Sequence, residues 1–224
     1  MLVHYHVEKT AGSSFRDLCL EYFGAAACGT LYGPSSKSTS TEMRDLIYPD
    51  GVDNLNSDAK ADRLIEYLQR RRPSFFSTHF IAPLRRRMQP GVTTVAFFRE
   101  PVARVVSHYN HWHLKGHFTG EFRDFYQREN FRNWQSQRFS LEEMAGLSFA
   151  CLTEEFGSSI AMLNAELGVA LAPRHTNKTP WRPFQIRLNS LNDRTRREIA
   201  QLNAKDIELY DAVRQRFYRD LKQV

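Results

Sequence analysis

Three short stretches of the chain carry residues suited to chemistry on an anion. The first is Lys9-Thr10-Ala11-Gly12-Ser13-Ser14. Small residues there let backbone N–H groups approach a negative charge, and a helix N-terminus behind them adds a favourable dipole. Lys9 supplies a mobile positive charge, and Thr10, Ser13 and Ser14 supply hydroxyls. The second stretch is Arg99-Glu100-Pro101, which ends the apolar run Val92 to Phe98. A guanidinium can grip a phosphate through two parallel hydrogen bonds, which an ammonium cannot. The third is His79, whose imidazole titrates near neutrality and can take a proton at working pH. Each has a plainer reading. The first is equally a Ser/Gly turn capping a helix, the second an ion pair of Arg99 with Glu100 or Glu154, and the third a histidine that only packs or hydrogen-bonds.

Neighbouring motifs are less telling. The small-residue loop is not a nucleotide triphosphate loop, because Lys9 precedes Gly12 rather than following the glycines. His108 and His111 have helical spacing but no evident carboxylate or thiolate partner, so no metal is expected and a solvated or substrate-facing histidine face is. Arg104 is expected to face solvent or to brace the loop. Trp112 to Arg138 mixes aromatics with arginines. It reads either as an acceptor-binding wall or as amphipathic helix with its aromatics turned inward. Arg70-Arg71-Arg72 and Arg85-Arg86-Arg87 read as solvated faces, and Glu8 as a second choice of base.

These residues need a frame. Residues 2–7 read as a strand, and residues 15–23 as a helix stopped by Gly24. Residues 33–58 read as an irregular excursion, and residues 58–72 as a helix closed by Pro73. Strands follow at 74–78 and 92–98, the latter near-continuously apolar as in a strand buried on both faces. Pro101 opens a helix through Trp112, and residues 118–146 are helical in tendency. Residues 147–152 read as a fourth strand, Thr153-Glu154-Glu155-Phe156 as the N-cap of a helix to Leu167, and residues 192–203 and 204–222 as closing helices. This alternation predicts an α/β fold with a central, mainly parallel sheet flanked by helices, in one domain spanning 1–224. Lys9, His79 and Arg99 then lie at strand carboxyl ends, where such sheets bind ligands.

Composition narrows the setting. The 224 residues are 42% hydrophobic and 25% charged, enough for a sizeable core. The net charge of +6 and a pI near 9.3 favour an anionic partner. Three cysteines, Cys19, Cys28 and Cys151, form no metal spacing and no even disulfide set, which fits a reducing compartment. No stretch reaches the roughly twenty apolar residues of a membrane span, and His4, His6, Glu8 and Lys9 break the only short apolar run at the start. A cytoplasmic, bacterial protein is the expectation.

With those residues in view, a resemblance becomes specific. His6-Val7-Glu8-Lys9-Thr10-Ala11-Gly12-Ser13-Ser14-Phe15 resembles the 5′-phosphosulfate loop of sulfotransferases that use 3′-phosphoadenosine-5′-phosphosulfate (PAPS), most like the heparan and uronyl 2-O-sulfotransferases. The segment from Phe97 through Arg99-Glu100-Pro101 to Ser107-His108-Tyr109 resembles their second signature. Weaker similarity covers Leu152-Thr153-Glu154-Glu155-Phe156 and the late basic loop Arg174 to Thr179. The resemblance implies a P-loop-like three-layer fold, with PAPS as co-substrate and no metal. It implies a 5′-phosphosulfate cradle at Lys9, Thr10, Ala11, Gly12, Ser13 and Ser14, and a 3′-phosphate site at Arg99 and Ser107. Lys178 and Thr179 would close over the nucleotide. Lys9 would stabilise the leaving phosphate, and His79 matches the position of the branch's catalytic histidine.

The expected function is sulfuryl transfer to a hydroxyl of a carbohydrate or glycolipid, by in-line displacement with His79 as base. Two other readings compete: a nucleotide-dependent kinase built on Lys9, and a basic nucleic-acid-binding domain suggested by charge and aromatics. The former needs ATP and magnesium, and the latter lacks any nucleic-acid motif, so no nucleic-acid partner is expected.

Overall fold

A computed structural model describes residues 1–88, 91–172 and 185–223. The first unit is β1 (Leu2–Tyr5), a turn, and α1 (Gly12–Phe23). There follow β2 (Cys28–Leu31), α2 (Thr41–Ile47), α3 (Ser57–Arg71), β3 (Phe75–Thr78) and the short α4 (Ala82–Arg85). Next come β4 (Thr93–Phe98), α5 (Pro101–Leu114), α6 (Phe122–Gln127), α7 (Leu141–Ala145), β5 (Phe149–Leu152) and α8 (Phe156–Leu167). Helices α9 (Asp193–Leu202) and α10 (Ala204–Leu221) complete the described chain.

The five strands form one sheet in the order β2-β3-β1-β4-β5, with every pairing parallel. All residues of β1, β2 and β3 are buried, which requires cover on both faces. His4 packs on Phe15, Phe75 and Phe97, while its neighbour Tyr5 meets Phe139. The α/β sheet expected from the sequence is therefore present.

Register sets the site. Tyr5 pairs with Thr78 and His4 with Val95, so β1, β3 and β4 end side by side. The chain leaves β1 for the β2 edge, returns to β3, and then crosses to β4 on the other side of β1. Such a reversal opens a crevice beyond the carboxyl ends of the strands.

Several expectations change. The sequence reading lacked β2, and its irregular 33–58 excursion contains α2, whose Met43 and Ile47 are core residues. Thr39 and Arg44 knit that segment: the Thr39 hydroxyl donates to Gly33 O, and the Arg44 guanidinium to Pro34, Ser36 and Thr39 carbonyls. Residues 118–146, helical in tendency by sequence, form α6, a 3-10 turn and α7. Within the capping segment Thr153 to Phe156, Glu155 is the N-cap residue and the helix begins at Phe156.

A second apolar cluster joins α5, α6 and α9 through Val102, Val105, Tyr109, Phe125, Phe131 and Ile199. The aromatics of the 112–138 segment turn largely into this cluster. His108, expected on a solvated or substrate-facing surface, is 2% exposed and ringed by Trp112, Phe125, Phe131 and Trp134. Arg104 is fully buried, donating to Phe131 O and His108 Nδ1 and facing Asp206 at 3.9 Å. It braces the turn at Phe131, not the small-residue loop at Lys9, and does not face solvent. No helix among the described residues is long and apolar enough to cross a membrane.

Candidate functional site

The loop after β1 is held in an unusual backbone. Lys9 (φ 69) and Ala11 (φ 64) are both left-handed, a conformation costing roughly 1–2 kcal/mol for a residue with a Cβ. Alternating conformations of this kind turn successive N–H groups toward one point, forming an anion-binding concavity. Ala11 is the N-cap of α1 and offers no side-chain cap, so the first N–H groups of the helix lack an intrahelical partner. A Cβ at Gly12 would sit 2.0 Å from His6 Cδ2, so the glycine makes room for the His6 ring. The Thr10 hydroxyl is buried and donates to Val7 O at 2.8 Å, closing the turn from within. Ser13 is exposed and Ser14 half-buried on the first turn of α1.

Arg99 comes from the end of β4, next to this loop. Its guanidinium donates to the Lys9 carbonyl at 3.3 Å. Glu100 is spent as the N-cap of α5, accepting from Val102 N and Ala103 N at 3.0 and 2.7 Å. Glu154 accepts from Glu100 N and the Tyr210 hydroxyl. Among the described residues Arg99 forms no ion pair with either carboxylate. One face of α5 continues the surface: Ala103, Ser107, Asn110, His111 and Leu114 follow one another at helical spacing.

With Lys9, Arg99, Ile186 and Leu188 that face lines a cleft of ≈ 290 Å³. Burial and then the charge of Arg99 lower Lys9 to about 8. A lysine held there gains from any anion that restores its proton. The lysine, arginine and serine hydroxyl that line this cleft form a donor set suited to an anionic ligand.

His79 leaves β3 on the other side of the loop. Its Nδ1 donates to His6 O at 2.7 Å and lies 3.7 Å from Glu8 Oε1. A carbonyl can only accept, so Nδ1 carries the proton and Nε2 holds the free lone pair of the neutral ring. Burial lowers its pKa, against the opposing pull of Glu8. His6 and Tyr32 pack on the ring at 4.5 and 4.6 Å between centroids. Beneath it, the Tyr32 hydroxyl meets Ser77 Oγ at 2.6 Å and His6 Nδ1 at 3.2 Å.

Lys9, Arg99 and Ser107 therefore share one cleft, with His79 anchored to the same loop through His6 and Glu8. Lys178 and Thr179 lie outside the described residues. Reading the sequence missed Tyr32, which follows the unrecognised β2, and missed Asn110 and Ile186 in the cleft; His111, expected on a solvated or substrate-facing histidine face, lines the cleft. Asn110 grips Ile186 by two hydrogen bonds of 2.9 Å, a pairing no local motif announces. It also missed the Trp134 indole donating to Glu8 at 2.8 Å and the Gln135 amide on Arg99. Among the described residues no cluster of three or more His, Cys, Asp or Glu side chains is arranged to hold a metal.

No protein-family model matches the chain, and no curated protein matches it significantly. Among solved structures it is similar to a sulfotransferase from Alicyclobacillus acidocaldarius, with 15% identity and a TM-score of 0.55. That alignment covers 95% of this chain and 94% of the other, and it establishes a shared fold.

Proposed function

We propose that this chain is a sulfotransferase that moves the sulfuryl group of PAPS to a hydroxyl, on a carbohydrate or glycolipid, in a cytoplasmic setting. The observation that carries the reading is the Arg99 to Lys9 hydrogen bond at 3.3 Å, which ties together two cationic residues that line one cleft. A donor with a 5′-phosphosulfate and a 3′-phosphate needs such a pair. The fold shared with a solved sulfotransferase supports it, as does the resemblance of the two motifs.

In this reading Arg99 and the Ser107 hydroxyl hold the 3′-phosphate, and the loop N–H groups with Lys9 cradle the 5′ end. His79 Nε2 takes the acceptor proton as the acceptor oxygen bonds to sulfur. The bond from sulfur to the 5′-phosphate oxygen breaks, and Lys9 stabilises the charge that develops there. His6 O and Glu8 keep the imidazole in the tautomer this requires. The histidine base supports a carbohydrate acceptor of the 2-O kind. Lys178 and Thr179 are proposed to contribute to the nucleotide site.

Labelled sulfate transfer from PAPS onto a panel of hydroxylated glycans and glycolipids tests the reading. Wild type should label at least one acceptor, and Lys9→Ala and His79→Ala should not at comparable enzyme. Absence of transfer to every acceptor, by a folded protein that does not bind the desulfated product PAP, refutes it.

A further inference from the structure

Arg99 is held at its backbone as well as at its guanidinium. It stands one residue beyond β4, where the ladder with β5 has ended. Phe98 O still accepts from Thr153 N at 2.8 Å. The N–H and C=O of Arg99 itself need other partners, and a single side chain supplies both. Gln135 Oε1 accepts from Arg99 N at 2.9 Å, and Gln135 Nε2 donates to Arg99 O at 2.8 Å. The two bonds fix the orientation of the amide, since only oxygen can accept from N–H. The glutamine imitates one step of a strand.

Gln135 is itself immobilised. It is fully buried, and its own N–H donates to Asp206 Oδ2 at 3.2 Å, while Ser136 N donates to Asp206 Oδ1 at 2.7 Å. Asp206 is also fully buried, lies in the first turn of α10, and faces the buried Arg104. A negative charge suits that end of a helix. Asn133, left-handed at φ 50, closes the turn by accepting from Lys205 N and Asp206 N. The same turn reaches the other arm of the site, because Trp134 donates to Glu8 Oε2 beside Lys9.

We propose that Gln135 is a positioning residue that presets Arg99 for the 3′-phosphate of the donor, and so sets selectivity for a 3′-phosphorylated nucleotide. The proposal rests on the donor reading given above. An arginine side chain has many rotamers and loses that freedom when it binds. Anchoring its backbone with Gln135 and its far end with the Lys9 carbonyl takes that loss before the ligand arrives. An adenosine 5′-phosphate without the 3′ group does not use this arm, so it should not sense the clamp.

The test is calorimetric titration of PAP and of adenosine 5′-monophosphate into wild type, Gln135→Met, Arg99→Ala and the double variant. Gln135→Met should weaken PAP roughly tenfold and the monophosphate by less than about threefold. In the Arg99→Ala background Gln135→Met should cost nothing further, the signature of action through Arg99. Equal losses for both ligands, or an undiminished loss in the Arg99→Ala background, overturn the proposal.

Should Gln135→Met fail to fold, the wild-type side-chain amide of Gln135, followed by NMR, serves instead. Its resonances should move with PAP and not with the monophosphate, and no movement with PAP overturns the clamp. Wild type that does not prefer PAP over the monophosphate sinks the donor reading, and the clamp with it. A wild type that prefers PAP while the cycle shows no coupling sinks the clamp alone.

Discussion

The guanidinium of Arg99 donates to the main-chain carbonyl of Lys9 at 3.3 Å, joining residues 90 positions apart. The bond ties the end of β4 to the turn after β1, and with it the two cationic arms of the cleft. Gln135 holds the backbone of Arg99, and the carbonyl of His6 holds the ring of His79. The site is thus assembled from backbone groups at three adjacent strand ends.

The pH dependence of kcat/KM should show two limbs. Burial lowers His79 from 6.5, so the ring is a neutral base above that value, and rate falls only as pH drops below it. Lys9, lowered to about 8, loses its proton above that value, and rate should fall about tenfold per pH unit there. Lys9→Arg keeps its charge and should lose the alkaline limb while retaining the acid one. An unchanged alkaline limb in that variant contradicts the role of Lys9.

His79→Ala should lower kcat by about 10²–10⁴-fold, the usual contribution of a general base. Its affinity for PAP should stay within about threefold of wild type, because the proposed role of the ring is toward the acceptor and not the donor. Single-turnover kinetics with calorimetry separates the two. A parallel loss of PAP affinity and rate would make His79 a structural residue.

Acid should weaken the fold early. His4 and His108 are lowered by burial from 6.5 to about 3, so the unfolded chain takes up these protons first. Their contribution is complete above pH 6.5 and is lost as pH falls toward 3. Each group contributes about 1.4 kcal/mol per pH unit in that window. Denaturant unfolding at pH 7.5 and 5.5 should therefore differ by roughly 3 kcal/mol from these two histidines. Equal stability at both values contradicts their neutral burial.

Adding and removing a methyl at adjacent loop positions should act in opposite directions. Ala11→Gly relieves a left-handed residue at φ 64 and should stabilise by up to about 1 kcal/mol, net of the unfolded-state entropy of glycine. Gly12→Ala forces a Cβ to within 2.0 Å of the His6 ring and should destabilise by at least about 1–3 kcal/mol. Urea unfolding measures both, and a neutral Gly12→Ala would mean that the His6 ring swings aside freely.

Much of this architecture could be read from the chain, for identifiable reasons. Strong local signals marked Lys9, His79 and Arg99: a small-residue turn after a strand, and two residues that each terminate an apolar run. β2 was invisible because Cys28-Gly29-Thr30-Leu31 is short and carries a glycine. Its strand conformation comes from pairing with β3, and Gly29 is required by Phe76, whose ring would lie 2.9 Å from an added Cβ. Tyr32 was lost with it. Arg104 read as a solvent-facing or loop-bracing charge because its partner Asp206 lies far along the sequence. Gln135 carried no signal of its own, since a side chain that mimics a strand is defined only by the backbone it meets.

The measurement that bears most directly on the central claim is calorimetric titration of PAP, with ATP as control and no magnesium, into wild type and Arg99→Ala. Wild type should bind PAP tightly, Arg99→Ala should lose about a hundredfold in affinity, and ATP should show no comparable affinity. A folded wild-type chain that does not bind PAP, or binds ATP equally well, contradicts that claim.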